Sequence, residues 1–296
     1  MDCSRRKFVR DGVLVAAGAA VLPGSSSLFA VPRPPWPIGC FNRPWTKWSF
    51  KETLAAIKSA GYTSMGLLTP TPQDPFIGED AAPEYLAGLK AAIAASGVRA
   101  VMGSLRSRHD IPLAQTITGL HTQIDHAAFL GLESVITFGT DHPDQVDQYL
   151  KSMAEAAAYG QEKNVKVVMK PHGGSSGAAE EIVASIEKVG HPNFRIWYDA
   201  GNIIYYTGKD PVAQLEPIVQ YVTGFCAKDC AAPKSDVMIQ FGTGKVDFKG
   251  VFKVLKGARF NGPIMVECCA IGDTPDATAA NARANREFLE KTLEEV

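Results

Sequence analysis

The sequence predicts an α/β protein built as a single closed (β/α)8 barrel. Three observations lead there: eight short apolar runs, a segment of helical period after each run, and glycines that close most of those segments. Strands that alternate with helices pair in parallel, and eight such units in one domain close a ring rather than leave an open sheet. The chain has 296 residues, enough for a barrel of about 250 residues plus a short extension. With 46% hydrophobic and 21% charged positions, the composition excludes a disordered, collagen-like or multi-span membrane protein.

The predicted strands lie at residues 38–41, 63–68, 98–103, 134–138, 165–169, 194–198, 222–227 and 263–268. Helices are predicted at residues 50–60, 82–96, 113–130, 145–162, 178–189, 211–221, 248–256 and 277–293. Gly61, Gly97, Gly131, Gly190 and Gly257 follow five of them, as helix C-termini favour. The first strand-to-helix turn reads Asn42-Arg43-Pro44-Trp45, without the glycine-rich phosphate loop of a dinucleotide-binding fold.

Residues 1–30 read as an export signal, and residues 31–296 as the barrel with a Pro-rich entry at 31–37. Ser4-Arg5-Arg6-Lys7-Phe8-Val9 precedes an apolar stretch at 12–22 and a small-residue end near Ala30. Paired arginines followed by Lys and Phe resemble a twin-arginine signal; an ordinary basic leader is the alternative. Either places the protein in the periplasm or otherwise outside the cytoplasm, and makes phosphorylated metabolites poor substrates. The apolar stretch falls short of the roughly 20 residues a stable membrane span needs. Thirty Lys+Arg against 31 Asp+Glu, a net charge of −1, gives no pull toward nucleic acid. Beyond the leader stand Cys40, Cys226, Cys230, Cys268 and Cys269, all in or beside apolar runs and without a CxxC pair, so buried thiols are expected rather than disulfides.

In such a barrel the chemistry sits where strands end. Strand four runs into Phe138-Gly139-Thr140-Asp141-His142, strand five into Lys170-Pro171-His172-Gly173-Gly174, and strand six into Asp199-Ala200-Gly201-Asn202. Strand seven ends Cys226-Ala227-Lys228-Asp229, and strand eight Val266-Glu267. An acid or an amine that closes an apolar strand is costly to bury unless paired, so Lys170, Asp199 and Glu267 are the leading candidates. His172, before a glycine-rich loop expected to be flexible, is a candidate proton carrier. Asn202, Lys228, Asp229, Arg106 and His142 are candidate substrate contacts, with Arg108 and His109 beside them. Trp45, Trp48, Tyr205 and Tyr206 could offer flat faces to sugar rings, whereas Trp197, inside a strand, reads as core. Gly242-Thr243-Gly244 reads as a tight turn.

These strand ends resemble the xylose isomerase-like (sugar phosphate isomerase/epimerase) TIM barrels, most specifically in 197–202, Lys228-Asp229, 241–248 and 264–267. The resemblance covers nearly all of the chain after the leader. It implies a small carbohydrate substrate and proton transfer between neighbouring carbons. It also implies one divalent metal held by Glu, Asp, His and Glu from strands five to eight. Asp199 and Glu267 match that set; Lys170 stands for the first Glu and Cys226 for the His, while Asn202 replaces a His that often follows the Asp.

Two arrangements fit those departures. A Lys170 ammonium could take the electrostatic place of the cation, which the charge argument favours. Alternatively the metal, Mn, Fe or Zn, shifts to His172, Asp199 and Glu267. Lys170 could also be a structural ion-pair partner or form a Schiff base with a carbonyl substrate. The sequence thus predicts isomerisation, epimerisation or β-elimination of a keto-sugar or keto-glycoside. Asp199 and Glu267 would be acid, base and positioning groups and Lys170 an oxyanion stabiliser. The alternative is a non-catalytic carbohydrate-binding protein on the same barrel.

Overall fold

The computed structural model describes residues 36–296, and the export signal assigned to residues 1–30 lies outside them. Eight parallel strands close on themselves in sequence order: β1 (Ile38–Phe41), β2 (Ser64–Leu67), β3 (Arg99–Ser104), β4 (Ser134–Thr137), β5 (Lys166–Met169), β6 (Phe194–Tyr198), β7 (Val222–Ala227) and β8 (Ile264–Val266). β1 completes the ring by pairing with β2 through Cys40↔Met65 and with β8 through Cys40↔Val266. The predicted (β/α)8 barrel is therefore the observed fold.

Helices α1 (Phe50–Ser59), α2 (Pro83–Ser96), α3 (Leu113–Leu130), α4 (Val146–Glu162) and α5 (Ala179–Val189) cover the outside of the first five units. Helices α6 (Ala200–Thr207), α7 (Pro211–Leu215), α8 (Phe248–Gly257) and α9 (Pro275–Glu294) complete the cover. Local chemistry sets their ends. Ser49 and Glu52 form a reciprocal capping box on α1, and Gly97, Gly131 and Gly190 take left-handed conformations after α2, α3 and α5.

Two helical predictions are corrected. The helix expected at 211–221 stops after one turn, and Glu216–Tyr221 continues as a 3-10 helix with Pro217 at its start; proline has no N–H to continue the α ladder. No helix is expected from the sequence at α6, because Gly201, Asn202 and the β-branched Ile203, Ile204 and Thr207 weaken its helical signal. It forms because the Asp199 carboxylate caps it, accepting from the Asn202 backbone N–H at 2.8 Å.

The core has two parts. The larger packs strands against helices, and the smaller fills the barrel with Phe41, Val168, Trp197, Cys226 and Met265 among others. Trp197 is thus core, and it passes over Gly224, where a Cβ would stand 2.2 Å from the indole. The five cysteines among the described residues are buried and free. Among the described residues no helix is long and apolar enough to cross a membrane.

Candidate active site

The barrel's inner layer defines the site. Side chains alternate along a strand, so the residue two positions beyond an inward-facing one rises on the same side, one layer nearer the mouth. Phe41, Val168, Trp197, Cys226 and Met265 fill the interior, and two positions beyond them stand Arg43, Lys170, Asp199, Lys228 and Glu267. These five meet. Lys170 Nζ donates to Glu267 Oε2 at 2.5 Å and lies 3.2 Å from Asp199 Oδ2. Lys228 Nζ stands 2.7 Å from Glu267 Oε1 and 3.2 Å from Asp199 Oδ2, while Arg43 Nη1 donates to Glu267 Oε1 at 2.6 Å. Both carboxylates are fully buried and both lysines are at most 2% exposed.

Charge decides what these groups can do. Burial alone would push the Glu267 carboxyl up, but Lys170, Lys228 and Arg43 hold it well below the usual carboxylate range. Glu267 therefore stays ionised at neutral pH and is unsuited to deliver a proton as a general acid, which revises its expected role. Burial works against the Lys228 ammonium, and Asp199 and Glu267 outweigh it, so its pKa lies above the ordinary lysine value. Three cations face two carboxylates, a surplus of one positive charge.

The sequence reading leaves out Arg43 and places Lys228 among the candidate substrate contacts rather than in the charged cluster. The same two-residue step that marks Lys170 after Val168 marks Arg43 after Phe41 and Lys228 after Cys226. The strand-seven position at the height of the site is accordingly Lys228; Cys226 lies one layer deeper, in the apolar interior.

The other candidates divide. Asn202 is buried and joins the cluster: its Oδ1 accepts from Lys228 Nζ at 2.8 Å, and its Nδ2 donates to the Pro171 carbonyl at 2.6 Å. His172 lines the cavity above, its ring 5.3 Å from Phe138 and its Nε2 within 2.8 Å of the Tyr206 hydroxyl. Desolvation first, then the Lys170 and Lys228 charges, lower its pKa to about 3. The ring is neutral at pH 7 and, with the cluster's positive charge uncompensated, takes up a proton only in strong acid. In an NMR pH titration the His172 ring resonances are expected to stay flat from pH 7.5 down to about 4.5; a midpoint near the reference value of about 6.5 would contradict this.

Arg106 and His142 also line that cavity, Arg106 with its guanidinium 5.6 Å from the Phe138 ring centre and His142 at the exposed rim beside Asp141. His109 lines it too, whereas Arg108 turns away to Asp110.

Asp229 is corrected. It is fully buried below the mouth, and its carboxylate accepts backbone N–H groups of Cys230, Gly242, Gly244 and Val246. It holds a loop and has no free oxygen for substrate. Gly242-Thr243-Gly244 is the turn wrapped around it. The glycine-rich stretch after His172 is also a pinned turn. Ser176 Oγ donates to the Phe138 carbonyl at 2.6 Å, and a Cβ at Gly174 would stand 2.1 Å from the Thr140 carbonyl oxygen, so the glycines serve close backbone packing. Trp45 is buried with its indole N–H on the Pro275 carbonyl, and offers no face to a sugar.

The donor set does not fit the divalent metal implied by the resemblance. Asp199 and Glu267 are present, but the atoms facing them are two ammonium nitrogens, which would repel a cation strongly at this depth. Among the described residues no group of three or more His, Cys, Asp and Glu side chains is placed to hold a metal ion, the set His172, Asp199 and Glu267 included.

Comparison with known proteins bears on the family and the fold. The family described as xylose isomerase-like TIM barrel matches residues 54–292. Among curated proteins none matches the sequence. Similar solved structures include a D-allulose 3-epimerase from Methylomonas sp. in complex with D-allulose, at 16% identity and a TM-score of 0.69, covering 87% of this chain and 97% of that one. A D-psicose 3-epimerase from Clostridium cellulolyticum H10 with D-tagatose shares 13% identity, with a TM-score of 0.68 over 87% and 99% of the two chains. A xylose isomerase-like TIM barrel protein from Mycobacterium smegmatis in complex with magnesium shares 16% identity, with a TM-score of 0.70 over 88% and 97%.

Proposed function

The chain belongs to the xylose isomerase-like TIM barrel family, and from that premise we propose an exported sugar isomerase/epimerase-like enzyme that moves a proton beside a sugar carbonyl. The observation that carries the reading is the buried cluster of Lys170, Lys228 and Arg43 against Asp199 and Glu267, one positive charge in excess at the mouth of the barrel. The two ammonium groups take the electrostatic place of the family's cation. The ketose 3-epimerases among the similar structures support the substrate class. Export rests on the leader sequence, and a compartment outside the cytoplasm favours an unphosphorylated sugar.

The chemistry follows from the charges. A carbonyl oxygen seated against Lys170 faces a preorganised positive field. Removal of the α-proton leaves the C–H electron pair in a C=C bond and the carbonyl electrons on oxygen as an enolate, which the surplus charge stabilises. Neutral His172 takes the proton and Tyr206 orients its ring. Return of a proton to the opposite face of the same carbon gives the epimer. Return to the neighbouring carbon, with the hydroxyl proton moved to the enolate oxygen, gives the isomer. Expulsion of a β-substituent instead gives elimination. Asp199 and Glu267 hold both lysines in place and raise the pKa of Lys228. A second reading, sugar binding without turnover, draws on the engagement of both Glu267 oxygens by cations.

The test is solvent exchange. Incubated with ketoses and 3-keto-glycosides in deuterated water, the protein is expected to introduce deuterium next to the carbonyl by NMR, and to do so equally after dialysis against chelator. Binding without exchange for every ligand supports the second reading and overturns the first. Activity lost to chelator and restored by Mn or Zn overturns the ammonium substitution.

A further inference from the structure

The cleft above the charged cluster has two lobes. One, a cavity of about 400 Å³, is lined by Arg106, His109 and His142 at its rim and by Lys170 and Glu267 at its floor. The other, of about 330 Å³, is lined by Tyr205, Tyr206, Lys234 and Asp236 with Asn202 and Lys228 at its floor. Arg43 and His172 line both, so the lobes meet between them. The two ammonium groups thus serve different lobes, Lys170 the first and Lys228 the second. Each lobe sits near the lower end of the roughly 300–1,000 Å³ span of small-molecule sites. A single sugar ring that fills one reaches only one of the lysines.

The lobes also differ in chemistry. The first sets the polar and cationic side chains of Arg106, His109 and Lys170 beside the apolar faces of Leu68, Leu105 and Phe138. The second is walled by aromatic faces: Tyr205 and Tyr206 pack edge to face with centroids 4.8 Å apart, and the Lys234 ammonium lies 4.7 and 4.2 Å from their ring centres. Lys234 is carried by the connection from β7 to α8, residues 228–247, a length unusual for a structureless connection and more often seen where loops build a binding surface. Asp229 pins that connection through four backbone N–H groups. The fold thus holds an aromatic wall against the reactive centre.

We propose that the substrate is a glycoside of two units, its keto ring in the Arg106 lobe and its second unit, a sugar or an aryl aglycone, against Tyr205 and Tyr206. The proposal rests on the proton-transfer reading for which ring reacts: Lys170, Glu267 and His172 all line the first lobe. The glycosidic bond then crosses between Arg43 and His172, where an enolate formed in the first ring lies within the field of both lysines. A β-elimination from such a ligand expels the second unit as an alcohol, with the bonding electrons leaving on the glycosidic oxygen and a proton returned to it.

The test compares methyl glucoside, phenyl glucoside and a β-linked glucose disaccharide by calorimetry and ligand-observed NMR, on the chain as exported. Phenyl glucoside and the disaccharide are expected to bind at least tenfold more tightly than methyl glucoside. Tyr205→Ala and Lys234→Ala are each expected to bring that ratio close to one, with folding checked by circular dichroism. Gain with the phenyl ligand alone assigns the second lobe to aryl aglycones, and gain with the disaccharide alone assigns it to sugars. Equal affinities in the parent, or a ratio that survives both substitutions, overturns the proposal. Deuterium exchange into a free keto-monosaccharide without any glycoside preference overturns it while leaving the proton-transfer reading intact. Glycoside preference without exchange in any keto ligand does the reverse.

Discussion

Replacement of Glu267 by alanine is expected to abolish proton exchange and to lower stability by about 3–5 kcal/mol, the range for removing one partner of a buried ion pair. Three cations converge on this carboxylate: Lys170 at 2.5 Å, Arg43 at 2.6 Å and Lys228 at 2.7 Å. Without it two buried ammonium groups share Asp199 alone, and one must shed its proton or draw in water. A loss of that size lowers the melting temperature by roughly 10 °C, at about 2–4 °C per kcal/mol for a domain of this class. Exchanging Lys170→Met in a Glu267→Leu background is expected to recover part of the stability and none of the activity, since apolar replacements of buried pairs are often tolerated. The pH dependence has a fixed sign. Because the folded pKa of Glu267 is depressed, its contribution is complete above the unfolded value of about 4.3 and is lost as pH falls through the folded value. Denaturant titrations between pH 7 and pH 3 should therefore show a shallower acid loss in Glu267→Ala than in the parent. A variant within about 1 kcal/mol of the parent would mean that the cluster is not the preorganised charge assembly described above.

How much of this was legible in the sequence follows from which signals are local. The barrel was, because short apolar runs repeat eight times, five of the helical segments between or after them stop at glycine, and each run needs cover on both its faces. Asp199, Glu267 and Lys170 stood out because each closes an apolar run with a charge. Arg43 carried no such contrast, lying in a polar turn after a short strand, and only its two-residue step from Phe41 points to the mouth. Strand seven was read one layer too deep, at Cys226, because Ala227 lengthens the apolar run and hides the rise to Lys228. Asp229 looked like its neighbour Lys228, yet successive residues face opposite sides of a strand. One enters the lumen and the other turns toward the loop. The division of the cleft into two lobes was not readable at all, since it depends on Arg43 and His172, from units one and five, standing on its common wall.

Substitution of Asp229 is expected to be nearly as damaging with asparagine as with alanine, a cost of at least about 3 kcal/mol in either case, since hydrogen bonds to a charged group contribute about 1.5–3 kcal/mol each. Each oxygen of this buried carboxylate takes two donors. Oδ1 accepts from Cys230 and Val246 at 2.8 and 3.2 Å, and Oδ2 from Gly242 and Gly244, both at 2.9 Å. An amide keeps one such oxygen and turns an NH2 toward the other two N–H groups, so half of the assembly changes from attraction to repulsion. No side chain at position 244 could make the same approach, because a Cβ there would stand 2.2 Å from Oδ1. A solvated turn behaves differently, tolerating Asn for Asp with little loss. Denaturant unfolding of Asp229→Asn and Asp229→Ala therefore discriminates: losses within about 1 kcal/mol of each other support a carboxylate that organises residues 228–247, and a near-neutral Asn variant refutes it. Lys228 and Lys234 ride on that segment. Both variants should accordingly weaken the binding of two-unit glycosides more than that of methyl glucoside, even though Asp229 touches neither lobe.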